Sequence, residues 1–267
     1  MLFSIQKIKV VYNTGDLPVL VECNDLNDYV CKHNRGQRAA YKLFAEWISH
    51  ALLQDLGVRV APKTLVHIKD EHVWGTAECQ IAFFRAVPTF ATLHLKEVVE
   101  WNQFDIKDLK LISNVNDLLI VAFFDLWLAN EDRNFNNFNL LIRATDAGFE
   151  IIPIDHGACF NSLAFNPEQP LRILCENESL IDTDEFRKLV RSRMKKLKDA
   201  SDFIESLYLR IPDLEKKYDE HVLEIPSEWH IPKEYITALK ANLFDKDWLD
   251  VTKTTFLSFI ETSLKIK

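Results

Sequence analysis

The sequence predicts an α+β chain in which a strand-rich first third gives way to a larger, mostly helical remainder. Three observations predict it. Short apolar runs separated by turn residues fill the first 35 residues, a periodic helix follows over 37–56, and from about residue 89 the apolar spacing turns helical. Pro88 marks the expected boundary, giving 1–88 and 89–267 as the two parts.

Within the first part, Val10–Tyr12, Pro18–Glu22 and Tyr29–His33 read as strands. Asn13–Asp16 and Asn24–Asp28 are rich in turn formers and separate them. In the helix, Ala40, Leu43, Phe44, Trp47, Ile48, Ala51 and Leu52 recur at helical spacing, and Gly57 stands where a C-terminal cap belongs. Glu46 lies mid-helix, with a solvent-facing pairing to Lys42 one turn earlier as its ordinary role. Further strands are expected after Pro62 up to Ile68, at His72–Trp74 and at Gln80–Arg85, where Phe83 and Phe84 also suit a core.

In the second part, Leu118–Leu128 is an apolar run broken by Asp125, with Asp117 placed to cap it as a helix. A polar turn follows, with Asn130, Asp132, Arg133, Asn134, Asn136, Asn137 and Asn139. Next come two strand-like runs, Asn139–Arg143 and Phe149–Ile154, around a turn containing Gly148. This hairpin brings Asp155 back beside the loop that holds Asp132 and Asn137. Two acids and an amide at one hairpin mouth form a site for a hard cation, which prefers oxygen ligands. The ordinary alternative is that these residues make Asx turns and cap a helix. Residues 184–198 read as one helix carrying seven Lys or Arg, an ordinary solvated face or a docking face for an acidic partner. Pro212 and Pro232 stand at helix starts, and 248–266 is a terminal helix.

Composition narrows the function. At 48% hydrophobic residues the 267-residue chain supports a sizeable core. Its net charge of −8 argues against general nucleic-acid binding. The five Cys, at 23, 31, 79, 159 and 175, show no zinc spacing and no disulfide framework, so a reducing cytoplasm is expected. No apolar stretch reaches the roughly 18 residues of a membrane span. A Ser hydrolase is disfavoured, since no nucleophile-elbow motif occurs.

Asp132-Arg133 followed by Asn137, then a hairpin and Ile154-Asp155-His156-Gly157, resembles the catalytic and metal-binding loops of the protein-kinase-like superfold. The run from Asn130 to Asn137, with Asp155-His156-Gly157 replacing the usual Asp-Phe-Gly, is similar to bacterial members of the HipA-like kinase family. Gly57–Pro62, Asp125–Asn130 and Pro226–Trp229 resemble further elements of that family, and phosphatidylinositol-type lipid kinases share the Asp-Arg element.

The resemblance implies a bilobal fold, with a small β-rich lobe over 1–88 covering ATP and a larger helical catalytic lobe over 89–267. It implies that Lys32 contacts the phosphates and that Glu46 pairs with Lys32. Phe83 and Phe84 fall where the interlobe hinge reads adenine. Asp132 serves the acceptor hydroxyl, and Asn137 and Asp155 hold Mg²⁺. His156 stands where Phe is usual and anchors the Asp155 loop, while Ser162 falls in the substrate-facing segment. One departure is plain: no Gly-rich phosphate loop occurs, and the 13–18 turn has only Gly15. The expected activity is an ATP- and Mg-dependent kinase acting on a protein Ser/Thr, or else a small-molecule hydroxyl. The alternatives are a pseudokinase-like module that engages a protein partner, and a metal-dependent phosphohydrolase, which would need more His or Asp ligands.

Overall fold

The computed structural model describes residues 1–14, 16–33, 37–73, 87–101, 111–161, 171–174 and 179–265. Its first sheet comprises β1 (Leu2–Phe3), β2 (Val10–Val11), β3 (Val19–Glu22), β4 (Asp28–Lys32), β5 (Lys63–His67) and β6 (Thr89–Leu93), in the order β1-β5-β6-β4-β3-β2. Among these described strands, only β1 and β5 pair in parallel. Alternation places Cys31 in the core under this sheet and turns Lys32, its neighbour, to the other face.

Helix α1 (Gln37–Asp55) follows β4 and packs against β6. Its apolar stripe, Leu43, Phe44, Trp47, Ile48 and Leu52, joins the main core shared with the C-terminal helices. Gly57 at φ 81° ends it, with its N–H donating to the Gln54 carbonyl at 2.9 Å and that of Val58 to Leu53 at 3.1 Å. The far end is bolted to α6 (Ile211–Leu223) by Asp55, which accepts from Lys217 at 2.8 Å and pairs with His221 at 2.7 Å.

The second sheet, β7 (Val98–Glu100), β8 (Leu140–Thr145) and β9 (Gly148–Pro153), contains the expected hairpin, with Leu140 opposite Pro153 and Thr145 opposite Gly148. Helix α3 (Val115–Trp127) feeds the intervening loop and is buried almost throughout. From Asp184 onward the described residues are mainly helical: α4 (Asp184–Arg193), α5 (Leu197–Tyr208), α6, α7 (Lys233–Leu243) and α8 (Lys246–Lys265). Among the described residues no helix is long and apolar enough to cross a membrane.

Several local expectations change. The part beginning at residue 89 opens with two strands, and β6 pairs between β4 and β5, so the first sheet runs past Pro88. His72 and Val73 lie in a helical turn, α2 (Asp70–Val73), because the Lys69 carbonyl accepts the His72 N–H at 2.9 Å. Helix α3 starts before Asp117: Asn114 is its N-cap residue, yet that side chain is taken by β9, exchanging two 2.8 Å bonds with the Ile151 main chain. The basic stretch breaks at Met194–Lys196, where Asp199 accepts the Lys195 N–H at 2.8 Å and the Lys196 N–H at 3.0 Å and so starts a new helix. The expected strand at Gln80–Arg85, with Phe83 and Phe84, lies outside the described residues, as do Trp74, Gly15 and Ser162.

Candidate active site

Two clusters meet at the hairpin mouth. In the first, the Lys32 ammonium reaches Glu46 of α1, and it donates to Asp155 Oδ1 at 2.7 Å. Lys32 is displayed because β4 alternates, and Glu46 because it lies on the helix face turned toward the sheet. Glu46 is 2% exposed, and Lys42 pairs instead with Asp16 at 2.8 Å. Burial works against the Lys32 charge, but Asp155 and Glu46 outweigh it and push its pKa up. Burial pushes the Glu46 carboxyl up to about 7, against the pull of Lys32. For the more open Asp155, burial opposes ionisation, but Lys32 wins and the carboxyl drops to about 2. One cation therefore serves two carboxylates pushed in opposite directions, Glu46 up and Asp155 down.

In the second cluster, Asp132 Oδ2 accepts from the amides of Asn137 at 3.0 Å and Asn139 at 3.1 Å. The Asp132 N–H donates to Asn130 Oδ1 at 3.2 Å, an Asx turn. The turn chemistry expected as the ordinary alternative is thus present, but it orients the carboxylate instead of merely capping a helix.

A buried hub joins the clusters. The fully buried Arg133 pairs with Asp125 and donates to the Ile154 carbonyl at 2.7 Å and to His156 Nδ1 at 3.3 Å. Asn130 Nδ2 donates to the same Asp125 oxygen at 2.8 Å. Burial raises the Asp125 carboxyl to about 6 although Arg133 lowers it. Burial and the neighbouring Arg133 hold His156 well below the ordinary histidine range. On the hairpin side, the Ile154 N–H donates to the Asn139 carbonyl at 2.9 Å, continuing the β8–β9 register to Asp155. Asp155 itself has φ 57°, a left-handed conformation unfavourable for a non-glycine residue, and Ala129 at 48° and Asn139 at 47° share it. Such backbone persists where the surroundings over-determine it, which these contacts do.

Space at Gly157 is tight: a Cβ there would lie 3.1 Å from Glu46 Oε1, so that carboxylate would have to give by a few tenths of an ångström. Glu131 braces the chain beyond it, accepting from Asn161 at 2.6 Å and Arg172 at 2.8 Å. On the outer side of the loop lies a recess of about 350 Å³, walled by Phe135 and Phe138 and by Asp182–Glu185 and Arg187 at the start of α4.

Asp155 and Asn137 each keep an oxygen that would suit a magnesium ion. Asp155 uses one oxygen on Lys32 and keeps 36% of its side chain exposed. Asn137 engages Asp132 through its nitrogen, leaving its amide oxygen for another partner. Among the described residues no three His, Cys, Asp or Glu side chains gather as a metal cage. A carboxylate and an amide, completed by phosphate and water, is the pattern Mg²⁺ favours.

Of the predicted site residues, the fold thus brings Lys32, Glu46 and Asp155 into contact, and Asp132 with Asn137, while Phe83 and Phe84 lie outside the described residues. Sequence reasoning counted Asn139 among the loop-stabilising residues, where its amide indeed holds Asp132, and passed over His50. His50 follows Glu46 at the i+4 spacing that puts both on one helix face, the signal by which it could have been found.

The fold thus clamps a lysine between a helix glutamate and a post-hairpin aspartate, and orders an Asp/Asn loop ahead of the same hairpin. The HipA-like kinase model matches residues 5–254, and the chain belongs to the HipA-like kinase family, a family of phosphotransferases. A solved structure described as a Helicobacter pylori proinflammatory kinase, CtkA, superposes with a TM-score of 0.53 over 97% of this chain and 96% of that one, at 15% identity. At that identity the likeness concerns the fold, and it agrees with a bilobal α+β kinase architecture. The Golgi casein kinase structure aligns with 97% of this chain and 73% of its own, at TM-score 0.45 and 12% identity. No curated protein sequence matches the chain.

Proposed function

We propose that this protein transfers the γ-phosphoryl group of ATP, presented as its Mg²⁺ complex, to a hydroxyl, first of all a protein Ser or Thr. The observation that carries this reading is the Lys32 ammonium held between Glu46 and Asp155, which come from different elements. A structural ion pair needs one partner. A lysine set between two carboxylates, one 3% and the other 36% exposed, is positioned to meet an anion from the open side.

In this reading Lys32 steadies the phosphates and Glu46 fixes Lys32. Asp155 and Asn137 hold the magnesium ion, which when bound neutralises phosphate charge. Asp132 orients the acceptor hydroxyl and takes its proton as that oxygen bonds to phosphorus and the bond to the β-phosphate breaks. The amides of Asn137 and Asn139 leave Asp132 one oxygen for this task. Arg133 does not touch substrate; it ties the Asp132 loop to Ile154 and His156. The recess beside Phe135 lies on the same loop, and its breadth favours an acceptor larger than a bare hydroxyl.

The test is a thermal melt of the folded protein with and without millimolar Mg-ATP, followed by transfer of labelled phosphate into proteins of the host lysate. A ligand that binds only the folded state raises the melting temperature by mass action. A raised melting temperature with labelled protein products is the expected result. No shift and no transfer overturns the reading.

A further inference from the structure

Two buried imidazoles lie behind the site, and their proton positions follow from their other partners. Arg133 Nη2 is 3.3 Å from His156 Nδ1. A guanidinium only donates, so Nδ1 accepts and the His156 proton sits on Nε2. His50 Nε2 is 2.6 Å from the Ala61 carbonyl oxygen, which only accepts, so this nitrogen carries the His50 proton. A second proton on His50 Nδ1 would place a buried cation near Lys63, which burial and that lysine both oppose.

The two remaining nitrogens are complementary. His156 Nε2–H is a donor and His50 Nδ1 an acceptor, and each is buried with no hydrogen-bond partner among the described residues. The ring centres are 6.3 Å apart, with the planes 80° to each other. A ring nitrogen lies about 1.1 Å from its centre, so the pair approaches no closer than about 4 Å, too far for a direct bond of about 3 Å. With a direct bond excluded, one water bonded to both would satisfy them, whereas an unbridged donor and acceptor would each carry the cost of burial without a partner.

We propose that one buried water joins His156 Nε2–H to His50 Nδ1, which makes His50 a positioning residue for the Asp155 loop. Helix α1 then grips that loop at two points one turn apart, because Glu46 also accepts the main-chain N–H of His156. The same helix would set both the lysine and the aspartate of the site. The link to catalysis rests on the nucleotide reading above; the bridge itself does not.

Two arms test it. In the first, the histidine side chains are labelled with ¹⁵N and their tautomers read by NMR without nucleotide. Both rings are expected as neutral Nε2–H forms, and His50→Gln, whose amide nitrogen retains the Ala61 bond but whose acceptor oxygen no longer sits where Nδ1 did, is expected to shift the His156 Nε2–H resonance. A His156 proton on Nδ1, or an Nε2–H signal unmoved by His50→Gln, overturns the bridge. Should His50→Gln not fold, the wild-type tautomers still decide. In the second arm, His50→Gln is expected to weaken Mg-ATP binding by roughly tenfold, the lower end for losing a group behind a metal ligand. It should have no further effect in a His156→Phe background. Additive losses overturn the coupling, whereas no Mg-ATP binding by the wild type sinks the nucleotide reading and leaves the first arm to judge the bridge.

Discussion

Replacing Arg133 by Met tests whether the buried hub holds the two clusters together. The guanidinium and the Asp125 carboxylate are both 0% exposed, so removing the cation strands an acid that retains only Asn130 at 2.8 Å. Breaking a buried pair in this way costs about 3–5 kcal/mol, against a total of about 5–15 kcal/mol for a typical domain. The pH dependence has a definite sign. Burial already raises Asp125 to about 6 from an ordinary 3.8, so its contribution to stability is present below the unfolded value and is lost as pH rises through about 6. Without Arg133 that value rises further. The gap between wild type and variant should therefore be widest at pH 8 and narrow toward pH 5, where both acids are protonated. Urea unfolding at the two pH values measures this, with unchanged slopes as the check on two-state behaviour. Adding Asp125→Asn to Arg133→Met should restore much of the loss at pH 8, since it removes the stranded charge, and the two changes should be non-additive. A loss at pH 8 below about 1 kcal/mol, the level of an exposed pair, or one equal at both pH values, would refute the reasoning.

Asp132→Asn should leave Mg-ATP affinity within a few-fold while lowering turnover by roughly a hundredfold or more, the scale of lost general-base help. Asp155→Asn should weaken both, and parallel titration and transfer assays separate the two; equal, small effects would reduce both acids to turn residues. Gly148→Ala places a Cβ 2.4 Å from the Leu111 carbonyl oxygen at a φ of 120°. It should destabilise the hairpin by about 1–3 kcal/mol, read as a lower urea midpoint.

The sequence by itself determined the hairpin, the long helix and the loop chemistry, because each is encoded locally. Two-residue alternation, the 3.6-residue apolar spacing and Gly57 leave little choice of backbone. It also nominated Lys32, Glu46, Asp132, Asn137 and Asp155, since a short loop and a tight hairpin bring the last three near each other whatever surrounds them. Tertiary structure decided what no local pattern holds. Strand β6 enters the first sheet because its partners β4 and β5 lie far away in sequence, and Asn114 forgoes capping α3 because β9 offers its amide two main-chain bonds. The contact between Lys32 and Asp155 spans 123 positions and exists only once both sheets are in place. Burial, likewise absent from the sequence, is what separates Glu46 from Asp155 in acidity and turns Arg133 from a loop residue into the hub of the site.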